Sequence, residues 1–160
     1  IDIAAKVLEQ RQDVTFAFVG DGDLTPHLKR KVAQRGLQDR VIFTGYLTEL
    51  NPLYADLDAT VLTSTNEGTP VVIIEAMVNR VLVLSTSVGG VPNMIQDKVS
   101  GYLFDGVDIN GYAQRLLHSF DHPEEVQPIL DRAGADVVTK YGAERLRQDF
   151  VKLFKELRIR

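Results

Sequence analysis

The sequence predicts an α/β fold in which helices cover a Rossmann-like parallel sheet. Short runs rich in β-branched and aromatic residues alternate five times with segments of helical periodicity, an order typical of parallel sheets. One run, residues 81–85, is almost entirely apolar, as expected for a strand buried on both faces. In such sheets ligands bind beyond the carboxyl ends of the strands, so the loops that follow the strands are the candidate site.

The individual elements follow from the same patterns in chain order. Strands are predicted over residues 14–19, 41–44, 59–63, 81–85 and 102–104. Helices are predicted over residues 2–12, 24–35, 49–55, 69–80, 109–120, 124–139 and 143–157, with a short helical turn ending at residue 95. We expect Gly36 to end the second helix and Thr48 to cap the third. No repeat or linker interrupts the chain, so residues 1–160 are expected to form a single domain.

Composition narrows the classes of function. The chain has 160 residues, with 18 basic and 22 acidic side chains, and the net charge of −4 disfavours nucleic acid or an anionic membrane as the main partner. The absence of cysteine excludes disulfides and thiolate metal sites, and a cytoplasmic location is expected. The first residues, 1–6, resemble the interior of a longer chain rather than a signal peptide.

The helix predicted after the third strand begins in a way that suits an anion. Thr69 is a candidate cap, and Pro70 suits the first helical position because its missing N–H would have no partner there. The amides of Val71 and Val72 would then point out of the helix start, where the dipole favours a phosphate. The alternative is a well-capped buried helix without a ligand.

Two carboxylates lie eight residues apart around this helix start. Glu67 precedes the helix, where a solvated loop carboxylate is the ordinary role. Glu75 lies within the helix and is expected to project from a mostly buried surface, where an unpartnered carboxylate is costly. A salt bridge to an arginine or lysine would satisfy it, and so would a diol such as the hydroxyls of a ribose. We expect the partner to be a ligand.

Two glycine-containing loops complete the candidate edge of the sheet. Gly20-Asp21-Gly22 follows the first strand and resembles part of a dinucleotide-binding fingerprint, although the third glycine is missing. The alternative is a turn in which Asp21 caps the next helix. Gly89-Gly90 indicates a loop that approaches something closely or adopts a positive φ.

At this point the motifs resemble a known family. Residues 67–77, Glu-Gly-Thr-Pro-x4-Glu-Ala-Met, are similar to the E-x7-E signature of retaining glycosyltransferases of the large family 4, glycosyl transferases group 1. Residues 88–92 and 100–104 resemble its V-G-G-x-P-E and G-x-L segments, and residues 18–22 and 41–46 resemble its strand–GxG and F-x-G segments. The resemblance runs in order over roughly residues 1–120.

The resemblance implies a GT-B fold, in which two Rossmann-like domains face each other across a cleft. This chain is similar to the C-terminal, donor-binding domain, with its first strand and the N-terminal acceptor domain lying outside the sequence. The implied activity is metal-independent, retaining transfer of a hexose-type sugar from a nucleotide-diphosphate sugar to an unknown acceptor, without a cofactor. The implied partners are the nucleotide sugar and the acceptor domain. The isolated chain is expected to be inactive, and any membrane association would come from the absent part.

The resemblance also implies roles for individual residues. Glu67 would contact the transferred sugar as the catalytic residue, and Glu75 would hold the ribose hydroxyls. The amides of Val71 and Val72 would bind the diphosphate. The glycines after the first strand would shape the donor cleft, and the backbone after the second strand would face the base. The implied donor-binding residues are Gly20, Asp21, Gly22, Tyr46, Leu47, Gly68, Thr69, Pro70, Val71, Val72 and Glu75.

The chain departs from the family pattern at two positions. Asn79-Arg80-Val81 stands where the family usually has Gly-x-Pro, which leaves the helix end without its usual glycine. Asn93 stands where an acidic residue is expected. Two alternatives therefore remain: a non-catalytic nucleotide-sugar-binding domain, and another GT-B enzyme such as a nucleotide-sugar epimerase.

Overall fold

The computed structural model of the chain describes residues 1–157, which form two compact units. The first unit comprises residues 1–56 and 107–123, and the second comprises residues 57–106 and 124–157. All strand pairs are parallel, which confirms the predicted parallel α/β fold. The strands are divided between a two-stranded and a three-stranded sheet, however, rather than joined in a single sheet.

Every predicted strand and helix is present, most of them shorter than predicted. The strands are β1 (Phe16–Val19), β2 (Val41–Gly45), β3 (Ala59–Leu62), β4 (Leu82–Thr86) and β5 (Tyr102–Phe104). The helices are α1 (Asp2–Leu8), α2 (Thr25–Gln34), α3 (Asn51–Ala55), α4 (Val71–Val78), α5 (Val91–Met94), α6 (Ile109–Asp121), α7 (Pro123–Tyr141) and α8 (Ala143–Glu156). The expected cap at Thr48 is wrong, because α3 starts later, with Leu50 at its N-cap and no side-chain cap.

The first unit is built on the β1–β2 pair and on a contact between two helices. The rings of Phe18 and Phe43 stack across the strands with centroids 5.2 Å apart, which stabilises the register of the pair. Helix α1 packs on α6 through apolar side chains that include Val7 and Leu116, both almost fully buried. Gly36 has a φ of +67°, so the predicted end of α2 at this glycine is confirmed.

The second unit is organised around β4, which lies between β3 and β5. All five residues of β4 are buried, which confirms the prediction drawn from its apolar sequence. Leu84, at its centre, is fully buried and pairs with Val61 and Tyr102. Burying such a side chain stabilises the fold by about 2 kcal/mol. The buried strand β4 therefore fixes the position of the loop at its carboxyl end.

Helix α4 ends in a Schellman motif. The N–H of Val81 donates to the carbonyl of Ala76 at 2.9 Å, and the N–H of Arg80 donates to the carbonyl of Met77 at 3.2 Å. Arg80 has a φ of 60°, so an arginine occupies the left-handed position for which glycine is preferred. Its guanidinium forms an ion pair with Asp131 of α7 at 2.5 Å.

The last helix, α8, has no buried residue among those described. Its apolar side chains recur at helical spacing and form one exposed stripe, which we call the α8 stripe. The α8 stripe consists of Leu146, Phe150, Leu153, Phe154 and Leu157. Within residues 1–157, none of the helices combines the length and apolar character needed to cross a membrane.

Candidate functional site

The loop between β3 and α4 carries the first predicted carboxylate. Glu67 is half-buried and follows the buried carboxyl end of β3 at Leu62 by five residues. Its carbonyl oxygen accepts a hydrogen bond from the N–H of Gly90 at 3.0 Å. Earlier in the loop, the carbonyl oxygen of Ser64 accepts a bond of 2.6 Å from the hydroxyl of Thr86. The backbone is therefore held at Glu67 and three residues before it by the end of β4 and the loop that follows.

Helix α4 begins one residue later than the sequence predicts. Pro70 is buried, has extended backbone angles (φ −67°, ψ 115°) and occupies the N-cap, so its placement as the first helical residue is wrong. The expected cap by Thr69 is also wrong, because no side chain caps this helix. Val71 and Val72 take the first two helical positions, so their amides precede the regular i→i−4 ladder. The prediction that these amides lie in the first turn is confirmed.

Glu75 lies one turn further along α4. It shares a helix face with Val71 and Val78, which are 62% and 54% exposed, whereas Ile73 and Met77 on the other side are buried. Glu75 itself is half-buried and has an interaction partner within the chain. The expectation of a mostly buried surface is therefore wrong, whereas the role of Glu75 toward a ligand stays a prediction. The sequence failed here because an all-apolar helix carries little information about which face is covered.

The last residue of β4 has a role that the sequence did not predict, although residues 86–91 were expected at the candidate edge of the sheet. Thr86 is 1% exposed and donates its hydroxyl to the loop of Glu67. The signal in the sequence was a polar, β-branched residue that follows Ser85 at the carboxyl end of a mostly apolar strand, where burial demands a hydrogen-bond partner. Gly89 and Gly90, which the sequence did single out, lie against the same loop and have Glu67 and Gly68 as their neighbours.

In the first unit, the loops that follow β1 and β2 meet at their first residues. The N–H of Gly20 donates to the carbonyl of Gly45 at 2.9 Å. Both glycines have positive φ, +117° and +68°, and no atom lies within 4 Å of the position a Cβ would take. Conformation rather than crowding therefore requires glycine here. Tyr46, which follows, is 81% exposed, and Leu47 is half-buried.

Asp21 organises the turn between β1 and α2. Its carboxylate accepts a hydrogen bond from the N–H of Gly22 at 2.8 Å. Hydrogen bonds from the Thr25 side chain and from that backbone N–H hold the pKa of Asp21 below its ordinary value, because they favour the charged form. Leu24 is the N-cap of α2 and no side chain caps the helix, so the alternative in which Asp21 is the cap is wrong.

Known glycosyltransferases resemble the chain in sequence and in fold. The poly(ribitol-phosphate) alpha-N-acetylglucosaminyltransferase of Staphylococcus aureus is 25% identical over 155 residues, which cover 96% of this chain and 31% of that enzyme. The structure of HepE from Anabaena in complex with UDP matches 96% of this chain and 44% of its own, with a TM-score of 0.89 at 24% identity. At that identity the likeness shows the fold alone.

A solved structure of a C-terminal domain also resembles this chain. The C-terminal domain of LpcC, a glycosyl transferase group 1 family protein from Francisella tularensis, is 29% identical, with a TM-score of 0.78. The match covers 89% of this chain and 77% of that domain structure.

The relatives are longer than this chain, which spans between 22% and 41% of the first three curated relatives it matches. The family described as "Glycosyl transferases group 1" matches residues 1–122, about three quarters of the sequence and all of the motifs on which the resemblance was based. The chain therefore belongs to the glycosyl transferases group 1 family.

Proposed function

We propose that this chain is the donor-binding domain of a retaining glycosyltransferase, which takes a sugar from a nucleoside-diphosphate sugar. The observation that carries the proposal is the E-x7-E segment, whose two carboxylates flank the start of α4 beyond the carboxyl end of β3. That end of a parallel strand is where ligands bind in α/β folds. Family membership and the solved complexes of HepE with UDP and UDP-glucose support the same class of ligand.

The start of α4 suits the diphosphate. The amides of Val71 and Val72 lie in the first helical turn, and the helix dipole adds a partial positive charge there. The preceding loop, Gly68 to Pro70, brings the chain to this point in an extended conformation at Pro70. As the glycosidic bond breaks, negative charge develops on the leaving diphosphate, and fixed dipoles aimed at that charge lower the barrier.

The positions of the two carboxylates suit contacts with the hydroxyl groups of the two sugars that the diphosphate joins, the ribose and the transferred sugar. Glu75 lies on the more exposed side of α4, one turn from Val71, so a carboxylate and an anion-binding helix start share one face. A carboxylate can accept hydrogen bonds from both hydroxyls of a ribose. Glu67 precedes the helix start in a loop with a fixed backbone, which suits a contact with the transferred sugar. In the first unit, the proposal assigns Gly20, Asp21 and Gly22 to the donor cleft, and Tyr46 and Leu47 to the base.

The acceptor would be held by another domain of a longer protein. The relatives extend well beyond the matched region, and the α8 stripe leaves five large apolar side chains exposed in this chain. An exposed apolar face of this size typically marks a surface for another protein segment. We therefore propose that the α8 stripe contacts the acceptor domain.

The test compares Glu67→Gln and Glu75→Ala with Glu9→Gln in the full-length protein. Glu9 is an exposed carboxylate at the end of α1, outside the proposed site, so Glu9→Gln is the matched control. We expect Glu67→Gln to abolish release of the sugar from UDP-glucose or another nucleotide sugar, with UDP affinity retained by calorimetry. Glu75→Ala should weaken UDP binding about tenfold, as expected when hydrogen bonds to a charged group are lost. Wild-type turnover in Glu67→Gln would refute the catalytic assignment.

A non-catalytic nucleotide-sugar-binding domain is the second candidate. Its specific support is Asn93, an exposed residue of α5 that stands where the family resemblance leads us to expect an acid. Under this alternative, the full-length protein binds UDP but releases no sugar from any nucleotide sugar tested. The same calorimetry and turnover measurements distinguish the two functions.

A further inference from the structure

The last residue of β4 and the loop after it make two hydrogen bonds to the backbone that carries Glu67. The hydroxyl of Thr86 donates to the carbonyl of Ser64 at 2.6 Å, and the N–H of Gly90 donates to the carbonyl of Glu67 at 3.0 Å. Thr86 is 1% exposed, so its hydroxyl is sheltered from competing water. The two bonds lie three residues apart along the Glu67 loop, one on each side of its exposed middle. The loop is therefore fixed at two points rather than one.

The loop after β4 approaches the Glu67 loop so closely at Gly89 and Gly90 that only glycine fits at these positions. A Cβ on Gly89 would overlap the carbonyl of Glu67, and a Cβ on Gly90 would overlap the carbonyl of Gly68. In both cases the Cβ would lie far closer than 3.0 Å to the carbonyl oxygen, and real Cβ atoms essentially never come so close to another atom. Gly90 has ordinary helical angles (φ −83°, ψ −6°), so its conformation does not require glycine. Contact with the Glu67 loop is therefore the reason for glycine at this position.

The loop after β4 is itself fixed at both ends. Thr86 is the last residue of the buried strand β4 and pairs with Phe104, and the N–H of Ser87 donates to the carbonyl of Phe104 at 2.8 Å. At the other end, Val91 is fully buried as the first residue of α5. The loop of Glu67 is thus held by a segment that takes its own position from the core.

We propose that Thr86, Gly89 and Gly90 are positioning residues for Glu67, which hold its backbone at the place where the sugar is transferred. The inference rests on the proposed role of Glu67 and adds residues that act on Glu67 through its backbone. It requires a larger effect on sugar transfer than on nucleotide binding, since the contacts assigned to Val71, Val72 and Glu75 lie within α4, and only Gly68 among the assigned donor-binding residues meets the loop after β4. A misplacement on the order of 1 Å can cost about 100-fold in rate.

The test uses Gly90→Ala and Thr86→Val in the full-length protein. Gly90→Ala introduces only the overlap with Gly68, and Gly134→Ala is its control, because that Cβ would meet nothing closer than the Met77 carbonyl at 3.8 Å. Thr86→Val removes the hydroxyl but keeps the branched shape, and Thr86→Ser restores the hydroxyl. We expect kcat for sugar release to fall about 100-fold in Gly90→Ala and Thr86→Val, with a much smaller change in the Kd for UDP. Gly134→Ala and Thr86→Ser should stay close to wild type.

Three outcomes would overturn the inference. These are wild-type kcat in Gly90→Ala, an equal loss of UDP affinity and kcat, and crystal structures of wild type and Gly90→Ala in which the Glu67 loops superimpose. If Glu67→Gln is inactive while Gly90→Ala is fully active, the positioning inference alone has failed. If Glu67→Gln is fully active, the proposed function has failed, and the displacement of the loop in the crystal structure still tests the contact.

Discussion

Replacing Arg80 by glycine should stabilise the chain relative to replacing it by alanine. Arg80 has a φ of 60° at the position after the C-cap of α4, where the Schellman motif places a left-handed residue. Alanine keeps the unfavourable conformation and loses the arginine side chain, whereas glycine loses the side chain and relieves the conformation. The comparison between the two variants therefore isolates the backbone strain from the ion pair with Asp131.

The magnitude follows from two opposing terms. A left-handed conformation costs a residue with a Cβ about 1–2 kcal/mol. Glycine also increases the conformational freedom of the unfolded chain, which destabilises the fold by about 0.4–1 kcal/mol and offsets part of the relief of strain. We therefore expect Arg80→Gly to be about 1 kcal/mol more stable than Arg80→Ala. The ion pair joins side chains that are 49% and 59% exposed, so its loss in both variants costs about 0–1 kcal/mol.

The assay is urea unfolding followed by circular dichroism, supported by thermal unfolding. For a chain of this length, a difference of 1 kcal/mol corresponds to a shift in Tm of roughly 2–4 °C. The variant Asp131→Ala removes the ion pair, together with a 3.4 Å hydrogen bond from the Gln127 side chain, and leaves the backbone at Arg80 unchanged. Equal stability of Arg80→Gly and Arg80→Ala, or a less stable glycine variant, would refute the assignment of backbone strain to this helix end.

Three further predictions concern the core, the α8 stripe and the turn after β1. Leu84→Ala should cost about 2–5 kcal/mol of unfolding free energy in urea, whereas Leu146→Ala should stay within about 0.5 kcal/mol; similar losses would contradict the burial of β4. Replacing Phe150 and Phe154 by glutamine should leave the Tm of this chain unchanged but lower that of the full-length protein; equal effects would contradict the proposed domain contact. Hydrogen bonds from Thr25 and Gly22 lower the pKa of Asp21 in the folded chain. The ionised carboxylate therefore stabilises the fold fully above the ordinary carboxyl pKa of about 4, and this stabilisation is lost as the pH falls through the lowered pKa. Asp21→Asn should therefore flatten the dependence of the urea midpoint on pH in the acid range, and an unchanged profile would count against the turn network.

The sequence alone predicted an element correctly wherever its local residue pattern matches the burial of that element in the structure. The apolar run at residues 81–85 predicted a strand buried on both faces, and β4 is buried at every position. The helix end at Gly36 was predicted because glycine interrupts helices, and α2 does end beside it. These signals depend on residues close together in the chain, which is why they required no knowledge of tertiary contacts.

The start of α4 shows where local reasoning stops. Thr69 and Pro70 both carry ordinary helix-start preferences, which predicted Thr69 as the cap and Pro70 as the first helical residue. The structure assigns the cap to Pro70, which is buried, and leaves Thr69 exposed. The start of the helix therefore goes with the burial of the proline, a tertiary property that local preferences do not report. The face of Glu75 was decided in the same way, by which side of the helix the core covers.

Gly89-Gly90 lies between these two cases. The pair predicted either a positive φ or a close approach, and the structure contains both, with a φ of +53° at Gly89 and an approach without strain at Gly90. The sequence could not name the partner, because Glu67 and Gly68 are more than 20 residues away and reach the pair only through the parallel pairing of β3 with β4. Parallel strands bring their carboxyl ends together, so a residue that carries out chemistry after one strand is held most directly by residues after its neighbour. In this chain, the fixed position of Glu67 is therefore a property of two strands, and an alanine at Gly90 should reach it without touching the E-x7-E segment's own side chains.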